Sequence, residues 1–494
     1  MCVVTQQHLL EVYMSNQKGL LKTEDWWSVW IGLFVFLLSL GPLFGIDLLG
    51  WAVEPKMWTN VAKSLAPVSK NYAAMSPILS LVCTYAALLA VLSIGAKVLG
   101  YNLKKFFYGF TVIFFLTYLC NIIGNNAYIA VNQPGDMEKF GIAWSLKLTG
   151  EAGLILALLV GLFIGNFMPS FAESLKEAAR PEWFIKTAIV ILGVGIGVKA
   201  AGALGLATAV MFRGLCAIVE AYLIYWALVY WISRRFFGFS REWSAPLASG
   251  ISICGVSAAI ATGGAIRARP IIPIMVSSLV VIFAVVELII LPFLSAALLS
   301  NEPMVAGAWM GLAVKTDGAA VASGQIVESL IYAKNAALGI NFEKGWVLNT
   351  AATVKIFIDI FIGIWAFVLA LIWTTRIEPK EGEKVRAGEI WDRFPKFVIG
   401  YFLTFLIMLF LCLGNADIIP SAKMASGEAD VFRKLFFALT FFSIGLVSNF
   451  KKLWEEGIGR LAVVYIISLF GFIIWIGLLI SWLFFQGVKP PIIG

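Results

Sequence analysis

The feature that most constrains this chain is a succession of apolar runs, each about 20 residues long, between Trp26 and Phe485. In hydrocarbon every backbone N–H and C=O must be satisfied inside the segment, so each run predicts a membrane-spanning helix. Candidate spans fall near residues 26–50, 76–99, 107–131, 144–168, 184–202, 206–232, 246–266, 271–299, 304–327, 347–373, 395–414, 431–448 and 460–485, about thirteen in all. Of the 494 residues 60% are hydrophobic and only 13% charged, where a soluble chain carries roughly a quarter. The expected fold class is therefore an all-α polytopic membrane protein. The stretch 53–75 is too polar to span, with Lys56, Lys63 and Lys70 among Trp58, Val61, Leu65 and Val68. An amphipathic helix lying at the interface suits it, and so does a structured loop.

Charge and rare residues remove other classes. The net charge of +8 lies mostly in short connectors, which speaks for membrane topology and against a nucleic-acid partner. The six cysteines form no CxxC pair, and all but Cys2 sit in or beside apolar runs, so neither a disulfide framework nor a zinc site is expected. The single histidine, His8, lies in a polar tail, 1–25, that alternates polar and apolar residues and does not read as a signal peptide. The loop from Arg376 to Lys396 is rich in Lys/Arg and is assigned to the cytoplasm. Alternation from it puts Lys104-Lys105, Lys176 to Lys186, Arg234-Arg235 and Lys451-Lys452 on the same side, with the N-terminus cytoplasmic and the C-terminus outside. Arg267 and Arg269 are the exceptions and land outside.

Two spans carry polar residues where lipid would not tolerate them. Met304–Val327 contains Lys315-Thr316-Asp317, followed by Gly318 and flanked by Gly311 and Gly324. Ionisable groups at that depth face a protein interior or a wet cavity, and the glycines predict a helix interrupted at midmembrane, where secondary transporters bind substrate. Ser249–Pro270 holds Ser252, Cys254, Gly255, Ser257, Thr262, Gly263 and Gly264. Tight packing of small residues is one reading. The sharper one is unwinding near Cys254-Gly255 or Thr262–Gly264, which would free backbone N–H groups for an anion at a helix N-terminus. The next span adds Asn349, Thr350, Lys355 and Asp359, the last two sharing a helix face where they could pair. A lysine here neutralises an anion, and an aspartate accepts a proton or coordinates Na+. Glu151, Glu220 and Glu287 are further embedded carboxylates, Glu220 sharing a face with Arg213 and Glu287 having no charged sequence neighbour. Ile191–Val210 and Phe441–Val464 also resemble one another, each a glycine-rich span end, a polar linker and a new apolar run, as in an internal repeat.

These segments together resemble the YeiH-like sulfate exporter family. Ser252-Ile253-Cys254-Gly255-Val256-Ser257-Ala258 with Ile266-Arg267-Ala268 is similar to its SICGxSA…IKA signature, and Leu159–Asn166 to its LLGN span end. Trp309-Met310-Gly311 through Lys315-Thr316-Asp317-Gly318-Ala319 resembles its WxGxSIHDxAQV segment. Ala352–Lys355, Phe397–Phe402 and Ile444–Asn449 resemble its TVVKLTR, FVLGF and ALGLSTDL runs. The likeness covers about residues 142–486, with Thr316 in place of the family's His, Ala320 of its Gln and Ile358 of its Arg. It implies a bile acid/sodium symporter-like fold with crossing broken helices and inverted repeats. The organisation expected is a polar tail 1–25, additional membrane helices with an interfacial segment over 26–141, a transporter domain over 142–486, and a tail 487–494.

The reading is a multi-pass carrier of the plasma (inner) membrane that moves a small anion, a sulfur oxyanion or sulfonate, by alternating access. Ser252, Cys254, Gly255, Ser257, Lys315, Thr316 and Lys355 are expected to bind substrate, and Asp317 and Asp359 to couple a cation. No cofactor is expected beyond Na+ or H+ as coupling ion; the partners are the anion and membrane lipids, with a homo-oligomer left open. Na+- or H+-coupled uptake of an organic anion is the alternative. An intramembrane enzyme would need an Asp-rich metal motif or a buried Ser/His or His/Glu arrangement, and the sequence offers neither.

Overall fold

The computed structural model describes residues 19–131, 134–146, 152–269, 271–377, 391, 394–448 and 459–493. The candidate carboxylate Glu151, the pair Lys451-Lys452 and His8 lie outside the described residues. Among the described residues nine helices are long and apolar enough to cross a membrane, and the bent pair Ala152–Phe167 with Pro169–Leu175 raises this to ten. The other three of the thirteen expected are present but differ in kind. Ile419–Val447 is a long helix carrying Lys423, Glu428, Asp430, Arg433 and Lys434 before its apolar second part. The remaining two are the polar spans.

Three long helices come first: α1 (Glu24–Ser39), α2 (Pro77–Val98) and α3 (Leu103–Gly124). Residues 53–75 form neither a spanning segment nor an amphipathic helix. They make a two-stranded hairpin, β1 (Val53–Pro55) antiparallel to β2 (Leu65–Pro67). Pro55 and Pro67 lack the N–H that a continuing helix would need. The hairpin is anchored to the membrane helices, Val53 N donating to Thr84 Oγ1 at 3.0 Å and Tyr118 Oη to Val53 O at 2.7 Å.

The rest of the described chain is α4 (Ala152–Phe167), α5 (Pro181–Gly202), α6 (Leu204–Arg235), α7 (Arg241–Ser252), α8 (Val256–Ala265), α9 (Ile271–Leu298), α10 (Pro303–Ala313), α11 (Asp317–Ala336), α12 (Trp346–Ile377), α13 (Phe397–Gly414), α14 (Ile419–Val447) and α15 (Gly459–Phe485). Small residues set the closest approaches. Gly161 and Gly165 of α4 lie on the backbone of α14 around Gly445, and Asn166 Nδ2 donates to Ser448 O at 2.9 Å. The LVGLFIGN and IGLVSN segments thus pack against each other.

Both polar spans are interrupted where glycine and polar residues coincide, at Ile253–Gly255 and Val314–Thr316. Neither crosses. Arg269 N donates to Glu242 Oε1 at 2.7 Å, so α8 returns to the end from which α7 started. Asn335 Nδ2 donates to Ser300 O at 2.8 Å, so α11 returns to the start of α10. Had α11 continued in line with α10, those two residues would stand about 50 Å apart. The expected crossing broken helices are therefore two re-entrant helical hairpins. Helix α9, about 40 Å long, joins one base to the other, so the hairpins enter from opposite ends of the bundle. The small residues of the first hairpin let its arms lie side by side, with the Thr262 and Ser249 hydroxyls 2.7 Å apart. The alternative break at Thr262–Gly264 is not used, since α8 stays helical to Ala265.

The fold-back also accounts for the misplaced arginines. It returns Arg269 to the end that holds Arg234, Arg460 and the Lys186–Asp25 ion pair, rather than to the far side. Asp25 of α1 also accepts from Lys396 N at 3.0 Å, which gathers the α1 start, the α5 start and the α13 start at that same end. The join within Ile191–Val210 lies at the opposite end from the last residues of α14, as an inverted pair would; the linker of the second member, 449–458, lies outside the described residues. With exposed cysteines removed, Arg269→Cys is expected to react with a membrane-impermeant maleimide from the same side as Lys105→Cys. Labelling from opposite sides would restore a crossing span.

Candidate functional site

The two hairpin tips meet. A Cβ on Gly255 would stand 3.3 Å from Lys315 O and 3.4 Å from Thr316 Cγ2, so the backbones are in van der Waals contact. Gly255 has φ +76°, which side chains rarely adopt, and its Cβ would also lie 2.5 Å from Val280 Cγ1. Gly255→Ala is therefore expected to destabilise the protein by about 1–3 kcal/mol from backbone strain alone. Thermal melting in detergent measures this, and an unchanged melting temperature would mean the tip relaxes freely.

Helix α12 supplies the group that joins the tips. Gly311 of α10 lies so close to α12 that a Cβ would stand 2.7 Å from Ala351 O. One turn further along, Lys355 is fully buried, and its Nζ donates to Ile253 O at 2.7 Å, Lys315 O at 3.2 Å and Val314 O at 3.4 Å. Ile253 and Val314 are the C-caps of α7 and α10. Carbonyls at a helix C-terminus lack intrahelical partners and sit at the negative end of the dipole, so a buried ammonium satisfies both needs. An ammonium has three N–H donors, and three carbonyls take them. Asp317 Oδ1, 4.0 Å from Nζ, is left with a Coulombic neighbour and no hydrogen bond.

Asp359 stands one turn beyond Lys355 on α12 but does not pair with it. Its two oxygens are buried without a hydrogen-bond partner. Cys254 Sγ and one oxygen each from Asp317 and Asp359 lie within 4.8 Å of one another, all three residues buried. One ammonium faces two carboxylates here, so charge balance calls for a further proton or cation. The thiol and carboxylates are ligand types that could hold one; the absence of a CxxC pair gave no sign of such a grouping, because tertiary folding assembles it.

The other expected substrate residues surround the tips in different roles. Thr316 caps α11, its Oγ1 accepting from Ala319 N at 3.2 Å, and Ser252 Oγ is buried without a partner. Ser257 is half-buried on the first turn of α8. The Lys315 side chain turns away from Asp317: its Nζ donates to Leu312 O and lies 4.5 Å from the centroid of the Tyr225 ring. The Lys315 N–H donates instead to Glu287 Oε2 at 2.8 Å, while Tyr465 Oη lies 3.2 Å from Glu287 Oε1. Glu287 thus holds the second tip from outside, a role hidden in sequence because its partner is a backbone amide. Arg213 does not face Glu220; it caps α15 by donating to Phe484 O at 2.6 Å.

Two clefts approach this region. One is lined by Glu182, Ile185, Thr316, Gly318 and Thr440, and reaches the N-terminus of α11 from the arginine-rich end. Glu182, which the sequence reading did not single out, stands in it within 3.6 Å of Lys186. The other borders Asn349, Thr353 and Ile356 of α12 together with Tyr401 and Phe405.

Comparison with known proteins adds kinship. A family described as Conserved hypothetical protein 698 matches residues 142–477. A UPF0324 membrane protein of Nitrosomonas europaea is 45% identical over 480 residues, covering 96% of this chain and 98% of the relative. An uncharacterized protein of Archaeoglobus fulgidus is 50% identical over 187 residues, 33% of this chain and 97% of its own length. A UPF0324 membrane protein of Nitratidesulfovibrio vulgaris is 28% identical over 458 residues, 90% of this chain and 69% of the relative. No solved structure matches.

Proposed function

The chain belongs to the Conserved hypothetical protein 698 family of multi-pass membrane proteins, and within it we propose a secondary carrier of a small anion. The observation that carries this reading is the meeting of two re-entrant hairpins, from opposite ends, at a buried cluster of Asp317, Asp359, Cys254 and Lys355. Irregular backbone at membrane depth is tolerated where it is buried in protein or lines a cavity, and half-helix ends are the ion-binding elements of transporters. The returning helices α8 and α11 both begin at the tips, so their N-termini offer free N–H groups and positive dipole ends there. The anion sits at the first turn of α11, beside Thr316 and Gly318, where the cleft from the arginine-rich end arrives. Asp317 and Asp359 take up the coupling proton or Na+.

A sulfur oxyanion is the substrate class favoured by the resemblance of the SICGVSA and KTDGA segments to the YeiH-like exporters. The arginine-rich end is the cytoplasmic one by the positive-inside rule, in an inner membrane. Purified protein is expected to gain thermal stability from at least one of sulfate, sulfite, thiosulfate or a small sulfonate. Proteoliposomes should then exchange that anion across the bilayer. No response to any anion, with or without a Na+ or pH gradient, would overturn the reading.

A further inference from the structure

We propose that Lys355 Nζ fills a monovalent-cation site, standing where a free Na+ would otherwise bind. The coordination supports this. The ammonium receives three backbone carbonyls, from Ile253, Val314 and Lys315, contributed by two different helix ends, and a carboxylate oxygen of Asp317 lies 4.0 Å away. Half-helix C-termini and unwound carbonyls are the ligands with which transporters coordinate Na+. Neither tip directs a side-chain acceptor at Nζ within hydrogen-bond distance, so the pocket is built of the oxygens a hard cation requires. The burial is nearly complete, with Lys355 at 1% exposure, and hydration does not compensate the charge. A single ammonium on a four-carbon arm from α12 therefore ties both hairpins together without an exchangeable ion. This rests on the carrier reading for one consequence only: no Na+ is exchanged at this position during a transport cycle.

Shortening the arm should vacate the site. Lys355→Ala and Lys355→Thr leave the carbonyls and carboxylates facing an open space, and Thr adds a hydroxyl ligand. Both are expected to gain several degrees of melting temperature when choline chloride is replaced by NaCl at equal ionic strength. Wild-type protein and Lys355→Met, whose chain fills the same space, should show only the smaller response that Na+ at the Asp317–Asp359 pair can give. Binding of radioactive Na+ should follow the same order. Equal Na+ responses in all four proteins would overturn the assignment. So would failure of both short variants to fold in NaCl, since Na+ would then not replace the ammonium. A carrier reading that fails shows itself separately, as absent anion exchange by wild-type vesicles.

Discussion

Lys355→Met is expected to lower stability by about 3–5 kcal/mol, the cost of removing one partner from a buried charged network. The effect is large because two losses combine. The carbonyls of Ile253, Val314 and Lys315 lose their donor, and Asp317 loses its nearest positive charge. Methionine reproduces the length of the arm, so the change isolates the charge and donors from the packing. The two tips should then separate, and with them the geometry of the anion site. The measurements are thermal melting with and without anion and exchange in liposomes. A variant that melts like wild type and still responds to anion would return Lys355 to an incidental role.

Asp317→Asn and Asp359→Asn are expected to act differently, sparing the fold while uncoupling transport. Asp317 Oδ1 and both Asp359 oxygens make no hydrogen bond, so an isosteric amide breaks none at those atoms. What changes is the charge: of the two carboxylates and the thiol that lie within 4.8 Å of one another, proposed above to take up the coupling ion, each variant keeps only one carboxylate. If cation and anion occupancy are linked, each alters the other's affinity reciprocally, by about 5–150-fold in typical cases. In either variant that factor should fall towards one, leaving anion binding indifferent to Na+ and pH. Anion titrations at two Na+ concentrations and two pH values measure it. Wild-type-like cation dependence in both variants would remove the pair from coupling.

Much of this was legible in the chain. Hydropathy marked the nine helices among the described residues that are long and apolar enough to cross a membrane, and the coincidence of glycine with polar residues placed the second tip at Lys315 and offered Cys254-Gly255 as one of two places for the first. Of the residues gathered there, Asp317, Lys355 and Asp359 were singled out from sequence because lipid could not have held their charges, and Cys254 and Thr316 because they stand at the suspected breaks. The partners were not legible. Glu287 and Lys355 bond to backbone amides and carbonyls, which every residue possesses and no sequence pattern distinguishes. The reversal at each tip escaped for a related reason. A window of about 20 apolar residues measures length and not direction, and two half-length arms satisfy it as well as one span does. Arg267 and Arg269 carried the only trace of the fold-back, as basic residues on the wrong side of an alternating count. Composition alone thus determined that this chain lives in a bilayer as helices. Whether a given run crosses or returns was decided by tertiary contacts, Glu242 with Arg269 and Ser300 with Asn335, because only neighbours far apart in sequence register which way a helix is heading.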